Sequence, residues 1–194
     1  HADAQTAATQ RDRDEFDAHY EHLFLWHAGE RQVVGAYRLG ATVPILASAG
    51  PAGLYTSTLF RIDPRFYERL GPSLELGRSF VHPDWQKSYR PLQLLWGGIA
   101  AWLDRHPDIR HLFGPVSISA GYSAASRRLI AAALTLHRSP DGLERYVRPL
   151  RPLRGDRAAR GAHHVAAALA EPALLSRTVA RLERGPGIPV LLRQ

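Results

Sequence analysis

A chain of 194 residues, 45% hydrophobic and 22% charged, is long enough for one globular domain with a sizeable core. It holds no cysteine, which excludes disulfides, thiolate metal sites and a covalent acyl-cysteine intermediate and fits a cytoplasmic protein. Twenty-five basic against eighteen acidic residues leave +7, and the excess sits late, so the carboxyl-terminal half is expected to attract anions; Lys87 is the sole lysine.

The chain begins at His1 and contains no methionine, as expected of a trimmed protein or a piece of a longer one. Residues 1–13 read as a flexible lead-in and 14–194 as the domain, with Asp14 at the frayed boundary. Residues 22–26 and 32–39, rich in β-branched and aromatic side chains and separated by Ala28-Gly29-Glu30, predict a hairpin. Residues 40–53 carry Pro44, Gly50, Pro51 and Gly53 and predict a loop, 55–60 a strand, and 64–70 a short helix capped by Asp63 with Pro64 in its first turn.

Residues 73–81 alternate as a strand. Strict alternation puts Leu74, Leu76, Arg78 and Phe80 on one face and Glu75, Gly77, Ser79 and Val81 on the other, so Glu75 and Arg78 diverge unless a bulge intervenes. A strong helix is predicted over 91–105 from Leu92, Leu95, Trp96, Ile99, Trp102 and Leu103, and Gly97-Gly98 within it suggests close approach to a sheet or ligand, with packing alone an equal explanation. Pro107 ends that helix, 111–118 reads as a buried strand, and 123–137 as a helix. Beyond it, 149–160 reads as mobile, and 162–170 and 173–184 as helices. The apolar runs 92–103 and 129–136 are short of the roughly 20 residues that span a bilayer. Strand–helix–strand–helix order calls for an α/β or α+β layered fold.

Three blocks carry a resemblance. Asp14-Glu-Phe-Asp-Ala-His-Tyr-Glu-His-Leu-Phe-Leu-Trp runs into Glu30-Arg-Gln-Val-Val-Gly-Ala-Tyr-Arg-Leu; Leu74-Glu-Leu-Gly-Arg-Ser-Phe-Val-His-Pro-Asp-Trp is the most specific; and Ile109-Arg-His-Leu-Phe-Gly-Pro-Val-Ser-Ile-Ser is the third. Together they resemble the bacterial ornithine-lipid N-acyltransferases of the GNAT superfamily, from about residue 14 onward. The acyl-homoserine-lactone synthases share the order of an acidic segment, a "GxVVGxxRL" strand and a glutamate three residues before an arginine, here Glu75 and Arg78.

The resemblance implies a GNAT-like mixed central sheet flanked by helices. It also implies a phosphopantetheine thioester on acyl carrier protein as donor substrate, with no permanently bound cofactor, a small amino-acid amine such as ornithine as acceptor, and a 3-hydroxyacyl amide as product. The usual pyrophosphate loop of the superfamily is replaced by Gln86-Lys-Ser-Tyr-Arg-Pro, without glycine, which disfavours coenzyme A there. Lys87 and Arg90 then meet the single phosphate or the acidic carrier surface.

Aminolysis of a thioester needs an uncharged amine, a donor for the developing oxyanion and a proton for the thiol. Glu75 is a candidate to orient or deprotonate the amine, or else a structural ion-pair partner. Arg78 suits a carboxylate, from the acceptor or from the acidic amino-terminal segment. His82 and Asp84 belong to the site or form an ordinary turn, and Tyr122 protonates the thiolate or packs. Glu15, Asp17 and Glu21 are candidates for the acceptor's second ammonium, and Arg38 and Ser117 complete the expected substrate-binding set.

Other functions are weighed on residues too. Gly121-Tyr-Ser-Ala-Ala resembles a nucleophile elbow with Ser123 as nucleophile, Asp141 or Asp156 and His163 or His164 downstream, but it lacks the second glycine. No His-x-x-x-x-Asp motif of a lysolipid O-acyltransferase occurs, so that activity is expected from a fused or separate partner. No metal motif occurs, and no nucleic-acid motif accompanies the basic half. An anionic membrane surface is a further expected partner, with the protein cytoplasmic and peripheral on the inner face. An acyl-homoserine-lactone-type synthase is the alternative within acyl transfer, and a non-catalytic carrier- or membrane-binding module is the alternative from another class.

Overall fold

The structure, a computed structural model, describes residues 13–137, 139, 141–152, 171–185, 187–189 and 192. The chain forms two compact units, residues 1–115 and residues 116–194. The expected helix over 162–170 and most of the segment 149–160 lie outside the described residues.

The first unit is built on a four-stranded mixed sheet in the order β1-β2-β4-β5. Strands β1 (Glu21–His27) and β2 (Gln32–Ala41) form the expected antiparallel hairpin, and β2 pairs antiparallel with β4 (Ser73–Val81). Strand β5 (His111–Phe113) adds parallel to β4. A parallel neighbour requires a crossover, and helix α3 (Arg90–Leu103) lies in that connection. Its apolar stripe of Leu95, Ile99 and Trp102 packs on Tyr37, Leu39 and Leu74, with Leu23, Leu25, Leu76 and Val81 around them. Gly98 permits the contact, since a side-chain carbon there would crowd the Leu23 methyls, whereas Gly97 faces open space.

Strand β4 does not alternate strictly. Ala36 pairs with Phe80 but Arg38 pairs with Gly77, so two steps on β2 oppose three on β4. The extra residue is accommodated at Arg78, whose φ of +44° lies in the left-handed region. Side-chain parity therefore switches in mid-strand: Leu74 and Leu76 face α3, and so does Val81. Glu75, Gly77 and Arg78 come to share the opposite face, which resolves the divergence expected from a regular strand. A left-handed conformation costs an arginine about 1 kcal/mol or more, and the ion pair of Arg78 described below offsets it.

Three segments depart from expectation. Residues expected as a loop form helix α1 (Thr42–Ala49) followed by a single 3-10 turn, Gly50–Gly53. Pro44 falls in the first turn, where no N–H is required, and Gly50 at φ +63° ends the helix, so the punctuation marks its ends. Residues expected as a strand form the 3-10 turn Tyr55–Thr58, and only β3 (Phe60–Ile62) is extended. Strand β5 is shorter than the expected 111–118, stopping at Phe113 before Gly114, which lies too close to the Leu76 backbone to carry a side chain. Helix α2 (Pro64–Leu70) starts at the Asp63 cap as expected.

In the second unit, helix α4 (Ala124–Leu134) is capped by Ser123 and packs on α5 (Pro172–Glu183). Leu129, Ile130, Ala133, Leu175, Val179 and Ile188 form its core. A short strand, β6 (Val147–Pro149), follows a 3-10 turn. No helix among the described residues is long and apolar enough to cross a membrane.

Candidate active site

The site lies on the sheet face opposite α3. It begins with Glu75 in the middle of the sheet, 1% exposed and paired across the ladder with Gly40. A carboxylate there must be satisfied by the protein, and four donors meet it. The Tyr20 hydroxyl and the Thr56 hydroxyl donate short hydrogen bonds to it, and the backbone amides of Tyr55 and Thr56 donate at 3.1 and 2.6 Å. The 3-10 turn at Tyr55–Thr58 exists to aim those two amides: an extended segment would point successive N–H groups to opposite sides. Burial, and then the hydrogen bond to Glu75, raise the Tyr20 pKa, so this phenol keeps its proton.

Tyr20 reaches Glu75 by lying over Gly40, and a side-chain carbon at that position would sit inside the Tyr20 ring. Replacing Gly40 with Ala is expected to displace Tyr20, break its bond to Glu75 and cost about 2 kcal/mol. Urea unfolding of parent and variant measures this, and an unchanged midpoint would contradict the packing described.

Beside this carboxylate lies an ion cluster. Arg38, 1% exposed, donates from Nη1 to Asp14 Oδ1 at 2.6 Å and Asp17 Oδ1 at 2.9 Å. Its guanidinium also lies near the rings of Phe16, Tyr20 and Tyr55, with centroid distances of 5.7, 4.8 and 5.3 Å. Arg78 Nε stands 3.3 Å from Asp14 Oδ2, so Asp14 bridges the two arginines. Asp14 and Asp17 are held by a capping box on the 3-10 turn Glu15–Ala18, in which each side chain takes a backbone N–H. Burial alone would lower the Arg38 pKa, but the hydrogen bonds to Asp17 and Asp14 outweigh it and raise the value. For Asp17 burial pushes the pKa upward, but the Asp14 backbone hydrogen bond and Arg38 outweigh it and hold the carboxyl below its ordinary value of 3.8.

Glu75, Arg78, Arg38 and Asp17 are thus brought to one face. Arg78 meets the acidic amino-terminal segment, one of the two carboxylate sources expected for it, and Glu75 takes hydrogen bonds from hydroxyl and amide donors. Glu15 is exposed on the same turn, whereas Glu21 accepts from Trp102 Nε1 at 3.1 Å, facing the α3 side. His82 caps the turn Pro83–Trp85, its Nδ1 3.6 Å from Asp84 Oδ2, and both are partly or fully exposed. Lys87 and Arg90 are exposed where α3 begins.

Ser117 and Tyr122 belong to the second unit. Ser117 is exposed, and the Tyr122 hydroxyl donates to the Gly187 carbonyl at 2.5 Å. Ser123 is the helix cap of α4, accepting from Ser126 N and donating to Glu183 Oε1 at 2.6 Å, with no strand leading into it; the elbow expected of a serine hydrolase is not formed. His163, His164 and Asp156 lie outside the described residues. No cluster of three metal-ligating side chains occurs among the described residues.

Reasoning from sequence missed Asp14 as a site residue, together with Tyr20, Tyr55 and Thr56. Asp14 carried a signal: Asp followed three residues later by Asp, just before a strand, is a capping-box spacing. Tyr20 and Thr56 carried none, because they reach Glu75 across 55 and 19 residues of chain.

Comparison with known proteins places the chain in a family. Residues 1–97, which contain the whole cluster, match the Acetyltransferase (GNAT) domain. A protein named glycine N(alpha)-acyltransferase from Bacteroides thetaiotaomicron is 32% identical over 154 residues, 73% of this chain and 45% of the relative. Two named L-ornithine N(alpha)-acyltransferase, from Brucella abortus and Rhodobacter capsulatus, are 33% and 35% identical over 61% and 67% of this chain and 43% and 50% of their own. The chain spans half or less of the length of these curated relatives. No solved structure matches it. With a mixed sheet flanked by helices and half of its length matching that domain, this chain belongs to the GNAT acyltransferase family.

Proposed function

We propose that this chain carries the N-acyltransferase centre of a protein that moves a fatty acyl group from acyl carrier protein to the α-amine of a small amino acid. The observation that carries it is the coincidence of two facts. The relatives are named for acylation of an α-amine, and the buried ion cluster lies wholly within the matched GNAT segment. In the reaction the amine nitrogen attacks the thioester carbonyl, the C–N bond forms, the C–S bond breaks, and the proton lost by nitrogen leaves with the thiol. No cysteine of this chain is available for an acyl intermediate, and in this proposal attack is direct.

Charge supports an amine acceptor. Arg38 and Arg78 balance Asp14 and Asp17, and Glu75 adds one further carboxylate to the same face, which favours a cation approaching it. Glu75 is best read as a positioning residue, since its oxygens are already engaged by Tyr20, Tyr55 and Thr56. Arg78, at the solvent edge of the cluster and 30% exposed, is placed to take the acceptor's carboxylate. Lys87 and Arg90 suit the phosphate of the pantetheine arm or the acidic carrier surface. Ornithine is one acceptor; glycine is a second reading, favoured by the relatives named for it, which cover 73% of this chain. Of the acidic residues proposed for a second ammonium, Asp17 is committed to Arg38 and Glu21 to Trp102, which leaves Glu15 for ornithine. The product is a lipid precursor, so contact with the inner membrane face and a fused or separate lysolipid O-acyltransferase belong to the same proposal.

Acyl transfer from 3-hydroxyacyl carrier protein to glycine and to ornithine, read by mass spectrometry, tests this. The expected result is an amide with at least one acceptor, and a KM for that acceptor raised roughly 10- to 100-fold in Arg78→Ala. A folded protein that forms no amide with either would overturn the proposal.

A further inference from the structure

The site covers only half of its sheet face. At the Arg38–Gly40 end the face is roofed by Phe16, Tyr20 and Tyr55. At the other end it is bare and aromatic: Phe24 is 58% exposed, and Trp26 and Phe80 are each 50% exposed. These side chains are not scattered. Phe24 on β1 pairs with Ala36 on β2, and Ala36 pairs with Phe80 on β4, so one rung reads large–small–large across three strands. Leu23, Leu25, Tyr37 and Val81, the neighbours in sequence, all face α3, which fixes the three on the opposite face.

Adjacent strands are about 4.8 Å apart, so the two phenylalanines rise as walls about 10 Å apart over an alanine floor. That width accommodates one extended hydrocarbon chain between the rings. Toward the ion cluster the next rung is Arg38–Gly77, and nothing lies within 4 Å of where a Gly77 side-chain carbon would be. In the other direction Trp26, paired with Val33, stands at the far end. From Arg38 to Val33 the strand runs roughly 15 Å, the reach of a medium-length acyl chain.

We propose that this trough, walled by Phe24 and Phe80, floored by Ala36 and Gly77 and ended by Trp26, seats the hydrocarbon chain of the acyl donor and sets its length. The inference rests on the acyl-transfer function proposed above and assigns its donor a place. An isolated exposed aromatic is ordinary, but a contiguous apolar strip in register across three strands and continuous with a buried charged cluster marks a binding surface. A hydrocarbon gains by leaving water here, and the thioester end then lies toward Arg78 and Glu75.

Two readouts test it. In the first, carrier proteins bearing short and long 3-hydroxyacyl chains compete for transfer. Ala36→Phe, which fills the floor, is expected to lower use of the long chain about tenfold relative to the short one, and Phe80→Ala, an exposed position that costs the fold little, to blunt the preference. In the second, a diazirine-bearing fatty acyl pantetheine amide is photolysed on the protein, and the label is expected on peptides containing Phe24, Ala36 or Phe80 and is lost in Ala36→Phe. Transfer with an unchanged chain-length profile and label elsewhere overturns the inference while leaving the function standing. Label in the trough without transfer to any amine overturns the function and keeps the seat. Absence of both removes both. A parent that sediments as a dimer, becomes monomeric in Phe24→Ala/Phe80→Ala and takes no label there would assign the strip to a second copy of the chain instead.

Discussion

Replacing Glu75 with alanine is expected to destabilise the first unit by roughly 3–5 kcal/mol, enough to melt the site before the rest of the sheet. The carboxylate is the shared acceptor for Tyr20, Thr56 and the amides of residues 55 and 56; its removal orphans the Tyr20 hydroxyl proton and the buried amide and hydroxyl of Thr56, while the Tyr55 amide keeps the Tyr20 hydroxyl oxygen at 3.0 Å. Each orphaned donor costs about 1–3 kcal/mol, and partial collapse recovers some of the sum. Glu75→Gln separates charge from shape. It keeps one acceptor oxygen but turns an NH2 toward donors, so about half of the loss is expected to persist. Guanidinium unfolding followed by circular dichroism reads both variants. A midpoint unmoved in Glu75→Ala would mean that the four hydrogen bonds do not hold the turn at Tyr55.

That expectation bears on catalysis. If Glu75 acts by holding Tyr20 and the 55–56 turn, Glu75→Gln lowers kcat without removing a limb of the pH–rate profile. A proton acceptor in direct contact with the amine would remove one.

The sheet was legible because its strands announce themselves by composition and by the parity of Leu23, Leu25, Tyr37, Leu39, Leu74 and Leu76. The bulge at Arg78 was legible only as an open alternative: strict alternation separates Glu75 from Arg78 unless a bulge intervenes. What resolved it is a left-handed arginine, a conformation that no propensity assigns to that residue. Helix α1 was hidden because Pro44 and Gly50 read as breakers wherever they fall, although one sits in a first turn and the other past an end. Thr56 and Tyr20 were invisible for a different reason, since a hydrogen bond that spans 55 residues leaves no local pattern.

Arg38→Met carries the second large effect, and its size changes with pH. At neutral pH the variant leaves Asp14 and Asp17 charged in a partly buried site with only Arg78 to answer them, a loss expected at about 3–5 kcal/mol. Asp17 in the parent titrates below 3.8, so its contribution to stability is complete above that value and disappears as the pH falls through the lower folded value. Without Arg38 burial meets less opposition, from the Asp14 backbone hydrogen bond and Arg78, so charging Asp17 costs the variant more than the parent and protonation relieves it. Acid should therefore narrow the gap: parent and variant melting temperatures, far apart at pH 7, are expected to converge as the pH falls through and below 3.8. Asp17→Asn, which removes the titrating group but spares Arg38, should flatten the acid limb of the parent. Melts from pH 2 to 7 on all three proteins decide it, and a gap that stays constant across that range would show that Arg38 stabilises by packing among Phe16, Tyr20 and Tyr55 rather than by its charge.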